Sequence, residues 1–298
     1  ISGLKSELAP QASSDAERRR AFAEWVSSPD NPLTRRVIVN RIWHYHWGTG
    51  IVETPSDFGV GGSLPSHPEL IDWLAAELLD RKWSLKAIHR LICTSAAYRQ
   101  QSVDRSDPSR LKAAQLDAGN RLLWRANPRR LDAESLRDAT LAVSGKLNAA
   151  MYGPGYRDFE YKEEYAPVYR YITADEPSLW RRSIYRFVVR TTTHQFLTTL
   201  DCPSPANLVP ARSTTTTALQ SLALLNNDFM LRQSEYFAKR IQAEGASDDV
   251  AIRRAFLLAF GRPPSASEAT AAQTLVQARG LGSLCRMLLN ANEFVYVD

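Results

Sequence analysis

Apolar side chains recur at helical spacing soon after the chain begins. Ala16, Ala21, Phe22, Trp25 and Val26 predict a helix ending near Ser28, where SPDNP supplies turn chemistry. Asn31 as an N-cap and Pro32 in the first turn predict a second helix through LTRRVIVNRIWHYHW, stopped at Gly48 and Gly50. The following segment, IVETPSDFGVGGSLPS, is too rich in Gly, Pro and Ser for regular structure and reads as an ordered loop of about 16 residues. Ser66, with Glu69 three residues on, forms a capping-box pattern ahead of a stripe of Ile71, Leu74, Ala75, Leu78 and Leu79. Ser84 opens a further helix through LKAIHRLICTSAAY.

Residues Gln101 to Asn127 are polar and predict a surface crossing, after which Asp132 caps AESLRDATLAVSGKL and Ser144-Gly145 ends it. From Asn148 to Trp180 six tyrosines are interspersed with Pro, Gly and charges without a period, which predicts a long irregular insertion. SIYRFVVRT, rich in β-branched and aromatic residues, is the one strand candidate. The remainder reads as helices: THQFLTTLD, TTALQSLALLNNDFMLRQSEYFAKRIQAEG, DDVAIRRAFLLAFGR, PPSASEATAAQTLVQARG and LGSLCRMLLNANEFVY, with Gly245, Gly261, Gly280 and Gly282 at the stops. The predicted fold class is mainly α: a compact helical domain with a small β element near Ser183 to Arg190 and a tyrosine-rich insertion. Residues 1–298 form one domain in this reading, with subdomains 1–127 and 128–298 as the alternative.

Composition narrows the function classes. The net charge is +5 and the pI about 9.1, yet basic residues are scattered among acidic ones, so a nucleic-acid footprint is not expected. Thirty arginines against seven lysines favour bidentate carboxylate pairs and aromatic stacking, a structural use of the charge. Cys93, Cys202 and Cys285 form neither a CxxC knuckle nor a CxxCH haem site, so no cofactor is expected in this chain. No run approaches the ~18 apolar residues of a membrane span. The opening ISGLKSELAPQ lacks signal-peptide regions and a starting Met, which fits a module cut from a longer polypeptide.

Four of the five histidines fall between Asn31 and Gln100. His44 and His46 are two apart, about 200° around a helix, so one metal cannot take both. His46 with His67, Glu53, Asp57 or Glu69 could converge if the loop folds back, giving His46, His67 and Glu69 as candidate metal ligands. His46, His67 and Asp57 with Arg41 are the corresponding candidate catalytic set. The competing reading is architectural: His67 and Glu69 cap a helix, His46 bonds a backbone carbonyl, Asp57 pairs Arg41, and the tryptophans Trp25, Trp43, Trp47, Trp73 and Trp83 are mostly core. DFG at Asp57 to Gly59 lacks every other kinase element, and no G-x-S-x-G elbow is present. Glu160, Glu163 and Glu164 among tyrosines suit sugar hydroxyls, although spacing alone shows no catalytic separation. Arg212 with Thr214 and Thr215, ahead of ALQSLALLNN, is a candidate anion site at a helix start.

Six blocks, NPLTRRVIVNRIWHYHWGTGIVETPSDFG, PSHPELIDWLAAELL, WSLKAIHRLICTSAAYRQ, RRLDAESLRDATLAVSGKL, RRSIYRFVVR and TTTTALQSLALLNNDFM, closely resemble the planctomycete-specific domain family, of unknown function, that follows cytochrome-type domains. The resemblance implies a C-terminal module of a larger exported protein, periplasmic or extracellular, with c-type haem carried by a separate domain. Its partners would be other domains of the same polypeptide, a cytochrome, or a polysaccharide. The family's recurring polar positions fall on Asn40, Arg41, His46, Asp57, His67, Glu69, Asp72, His89, Arg90, Arg137, Asp138, Arg182, Asp201, Arg212, Gln220 and Asn226. Val209 stands where the family commonly has Cys, and MYGPGYRDF replaces a glycine-paired turn. An accessory scaffold or binding module follows from this context, with an enzyme acting on extracellular polysaccharide or in redox turnover as the alternative.

Overall fold

The computed structural model describes residues 14–102, 108–173, 175–245 and 247–297. The opening ISGLKSELAPQ, read for a leader, and part of the polar crossing therefore lie outside the described residues. The chain is mainly helical, with two small two-stranded sheets, and divides into two compact units, Ile1–Arg129 and Arg130–Val297.

The first unit holds α1 (Asp15–Ser27), α2 (Pro32–Trp47), α3 (Pro68–Asp80), α4 (Leu85–Cys93) and α5 (Pro108–Leu116). Their starts follow local chemistry. Asn31 accepts from the N–H groups of Leu33 and Thr34 at 2.8 and 3.2 Å, and Ser84 accepts from Ala87 at 3.4 Å. The Ser66–Glu69 capping box does not form. Helix α3 starts one residue later, His67 stands at its N-cap without a side-chain bond to the helix's free N–H groups, and the Ser66 hydroxyl turns instead to the Ile51 carbonyl at 3.3 Å. The stripe of α3 packs with Val39, Ile42, Trp43 and Trp47 of α2 and Ile88 and Ile92 of α4 in one buried cluster. Trp43 and Trp47 are core, as expected, whereas Trp73 and Trp83 are exposed. The polar crossing contains α5, which buries no side chain.

The second unit holds α6 (Ala133–Val143), α7 (Gln195–Thr199), α8 (Ala218–Asn226), α9 (Asp228–Gln242), α10 (Asp248–Phe260), α11 (Ala266–Arg279), α12 (Leu281–Asn290) and α13 (Asn292–Val295). Leu284, Cys285 and Leu288 of α12, Phe237 and Ile241 of α9, and Ile252 and Ala255 of α10 form its core. Three expectations are corrected. The helix predicted from Thr216 to Gly245 is two, because Asn227 leaves the helical conformation and caps α9 by accepting from Phe229 at 3.0 Å. Gly282 lies within α12 rather than at a stop. The strand predicted at SIYRFVVRT is a 3-10 turn, Ser183–Tyr185, followed by a single bridge from Arg186 to Tyr156. Its backbone bonds go partly to local turns and to Tyr156 and partly to a side chain, Ser183 donating from its N–H to Asp138 at 2.8 Å. The β element sits within the tyrosine-rich insertion, where Phe159–Lys162 pairs antiparallel with Val168–Tyr171.

Candidate functional site

In the first unit the loop between α2 and α3 is fixed by Asn40, fully buried on α2. Its Nδ2 donates to the Val52 carbonyl at 2.9 Å and its Oδ1 accepts from the Val52 N–H at 2.8 Å. Glycine is required where this backbone crosses itself: a Cβ on Gly50 would lie 2.4 Å from the Val52 carbonyl oxygen, and one on Gly62 2.1 Å from that of Asp57. Thr54 donates its hydroxyl to the Asp57 carbonyl at 2.7 Å and accepts from Ser63 at 3.0 Å, closing the turn. The Asp57 carboxylate accepts from the Gly59 N–H at 2.8 Å within the loop. Arg41 reaches Ser56 at 3.4 Å, so no Asp57–Arg41 pair forms. Glu69 sits exposed in the first turn of α3.

The loop roofs a cavity of about 580 Å³ lined by Trp43, Trp47, Glu53, His67, Arg121 and Asn127 among others. The two indoles stack at 5.3 Å and 17°. Trp47 is 6% exposed, and its Nε1–H is buried without a hydrogen-bond partner among the described residues. Ser66, which donates to Ile51, receives Nδ1 of His67 at 2.9 Å. With the serine proton committed, His67 donates from Nδ1 and keeps Nε2 as an acceptor.

His46 is placed differently. Its Nε2 is 2.7 Å from Nδ1 of His89 and its Nδ1 is 3.8 Å from Sγ of Cys93, rather than on a backbone carbonyl. Burial first, then the neighbouring His89 and Arg129, hold its pKa below the usual imidazole value. Among the described residues no three His, Cys, Asp or Glu side chains converge as a metal-holding group, so His46, His67 and Glu69 are not brought together as one.

The candidate anion site in the second unit is filled by the protein's own carboxylates. Arg212 grips Glu134 through two bonds of 2.6 and 2.8 Å. Thr215 donates its N–H and hydroxyl to Asp201 at 2.7 and 2.8 Å, Thr214 is exposed, and Thr217 caps α8. Arg212 and Thr215 are thus engaged with carboxylates of the chain itself.

The sequence pattern did not single out a second cavity, of about 150 Å³, lined by Asp158, Tyr171, Trp180, His194, Phe229 and Arg232 among others. Asp158 accepts from Nε of Arg186 at 2.6 Å, while its Oδ1 and Nη2 of Arg186 are buried without partners among the described residues. His194 stands at the N-cap of α7, its Nδ1 accepting from Leu197 at 3.4 Å, and its Nε2 is 3.6 Å from Asp158. Arg137, one of the positions implied by the resemblance, lies between the rings of Tyr156 and Phe229 at 5.4 and 5.6 Å and donates to the Leu179 carbonyl at 2.6 Å.

Tyr156, whose ring lies under the Arg137 guanidinium, is 7% exposed, its hydroxyl has no partner among the described residues, and burial pushes its pKa up to about 12. Since an unsatisfied buried hydroxyl costs about 1–3 kcal/mol, Tyr156→Phe, which keeps the ring under Arg137, is expected to stabilise the fold by about 1 kcal/mol. A urea midpoint that falls in the variant would show that the hydroxyl is satisfied.

A family model described as PSD1, protein of unknown function (DUF1553), matches residues 18–276. No curated protein and no solved structure matches the chain.

Proposed function

The chain belongs to the PSD1 family of proteins of unknown function (DUF1553), and we propose that it serves as a non-catalytic binding module that receives a saccharide in the cavity walled by Trp43 and Trp47. The observation that carries this reading is the Trp47 N–H, a buried donor with no acceptor among the described residues, on a side chain that lines a cavity of about 580 Å³. Leaving such a donor unmatched costs about 1–3 kcal/mol, and a ligand hydroxyl reached by a small shift of the ring recovers it. The volume falls in the ~300–1,000 Å³ range of small-molecule sites. Indole faces suit sugar rings, Nε2 of His67 accepts from hydroxyls, and Glu53 and Arg121 are exposed at the rim.

Binding is favoured over catalysis by the state of the polar groups. An enzyme built on His46, His67 and Asp57 needs free lone pairs facing one substrate, but His46 is engaged with His89 and Cys93, and Asp57 with Gly59. The setting we propose is that of the resemblance: an exported protein, periplasmic or extracellular, whose other domains or cytochrome partner carry the haem. No helix among the described residues is long and apolar enough to cross a membrane.

The test is a polysaccharide array followed by titration calorimetry with the oligosaccharide that binds. Trp47→Phe, which keeps an aromatic wall and removes the donor, is expected to lower affinity about tenfold, the loss of one hydrogen bond. Affinity is measured at a temperature where circular dichroism shows the variant folded, because trimming a core indole also costs stability. An array on which the wild-type chain binds nothing, or a Trp47→Phe variant of undiminished affinity, overturns the proposal.

A further inference from the structure

Away from that cavity, α2 and α4 bring together a thiol and two imidazoles. Cys93, half-buried, is the last residue of α4, and His89 lies four residues before it, on the same helical face. Between them stands His46 of α2, with Nδ1 3.8 Å from Sγ and Nε2 2.7 Å from Nδ1 of His89, and with the Tyr98 ring edge-on at 5.4 Å. One assignment of protons satisfies the series. The thiol donates to Nδ1 of His46, Nε2–H of His46 donates to Nδ1 of His89, and Nε2–H of His89, an exposed residue, is left for solvent. Nucleophile, base and the group that orients the base are thereby in order.

We propose that Cys93 is a nucleophilic thiol, served by His46 as general base and by His89 as a positioning residue, and that it is a modification site for small soft electrophiles. In the step, sulfur attacks an electrophilic carbon and the S–C bond forms as the carbon–leaving-group bond breaks with its electron pair. The thiol proton passes to Nδ1 of His46. Attack requires the thiol to lose its proton, and Nδ1 of His46 is placed to take it. The groups facing the pair are His89, Arg129 and Tyr98. The other two cysteines lack this arrangement. Cys202 has the Glu134 carboxylate at 3.6 Å, and burial together with that charge holds its thiol up to about 11. Cys285 is fully buried, which pushes it to about 12.

The folded chain is treated with iodoacetamide between pH 6 and pH 9, and alkylation at each cysteine is followed by peptide mass spectrometry in the wild type, His46→Gln and His89→Gln. An unassisted thiol reacts about 50-fold more slowly at pH 6.5 than at pH 8.5, following its thiolate fraction. With His46 as base, Cys93 is expected to slow by less than about tenfold over that range. His46→Gln is expected to restore the steep profile and His89→Gln to give an intermediate one. A wild-type Cys93 that follows the ordinary thiol profile, or one whose rate is indifferent to His46→Gln, overturns the assignment. Should His46→Gln fail to fold by circular dichroism, the wild-type profile decides alone.

Discussion

Asp201→Ala is expected to lower the stability of the second unit by about 3–5 kcal/mol, the scale on which removing one partner strands a buried charge. Asp201 follows α7 in the left-handed region, at φ 65°. Its carboxylate accepts from Arg130 at 2.6 Å, from the Thr215 N–H and hydroxyl at 2.7 and 2.8 Å, and from Gln220 at 3.0 Å. The Arg130 side chain is 7% exposed. Without the carboxylate it keeps only the carbonyls of Leu200 and Thr215 and the Gln220 amide oxygen, none of which neutralises it. Asp201→Asn tolerates the left-handed backbone and keeps an acceptor, so it isolates the charge and is expected to fall between wild type and alanine. Burial raises the Asp201 pKa, but the bonds from Thr215 and Arg130 outweigh it and leave the folded value below the usual carboxylate range. The contribution is therefore complete above the unfolded value of about 3.9 and is lost as pH falls through the folded one. Urea unfolding at neutral pH and at pH 3 checks both parts. A loss in Asp201→Ala below about 1 kcal/mol would mean that the pair is no better than a surface one.

Local chemistry was legible in the sequence, and long-range pairing was not. Asn31, Ser84 and Asp132 cap the helices that follow them because a side-chain acceptor two or three residues ahead of free N–H groups needs no tertiary context. Ser66 has the same signature and fails, since the Ile51 carbonyl, 15 residues earlier, competes for its hydroxyl. SIYRFVVRT has strand composition, but its apolar residues reflect packing, and its backbone bonds go partly to Asp138. The actual hairpin escaped notice because four-residue strands are too short to display a period, although Phe159, Tyr161, Tyr169 and Tyr171 meet across it. Candidate chemistry fared similarly. The histidine-rich segment did contain a cavity residue, His67, and a thiol-facing one, His46. Which of them meet depends on contacts 43 and 47 residues apart, which spacing cannot supply. His194 carried no local signal, as its partners Asp158 and Arg186 come from separate segments.

His194 also sets the second large effect, an acid destabilisation entering well above the carboxylate range. Burial first, then the Arg186 charge, hold its pKa at about 4, against the partial opposing pull of Asp158. The unfolded value is about 6.5, so between the two the unfolded chain binds a proton that the folded chain does not. Stability therefore rises with pH across this window. It is complete above pH 6.5, falls by up to about 1.4 kcal/mol per pH unit as pH drops, and levels off below pH 4. His194→Asn removes the titration while keeping a side-chain acceptor for the Leu197 N–H at the start of α7. Between pH 7 and pH 5 the wild type is expected to lose about 2 kcal/mol more than His194→Asn in urea unfolding. The carboxylates and His46 titrate in both proteins and cancel in the difference. Parallel pH profiles would mean that the imidazole accepts its proton in the folded state, where the Asp158 carboxylate, not burial beside Arg186, governs it.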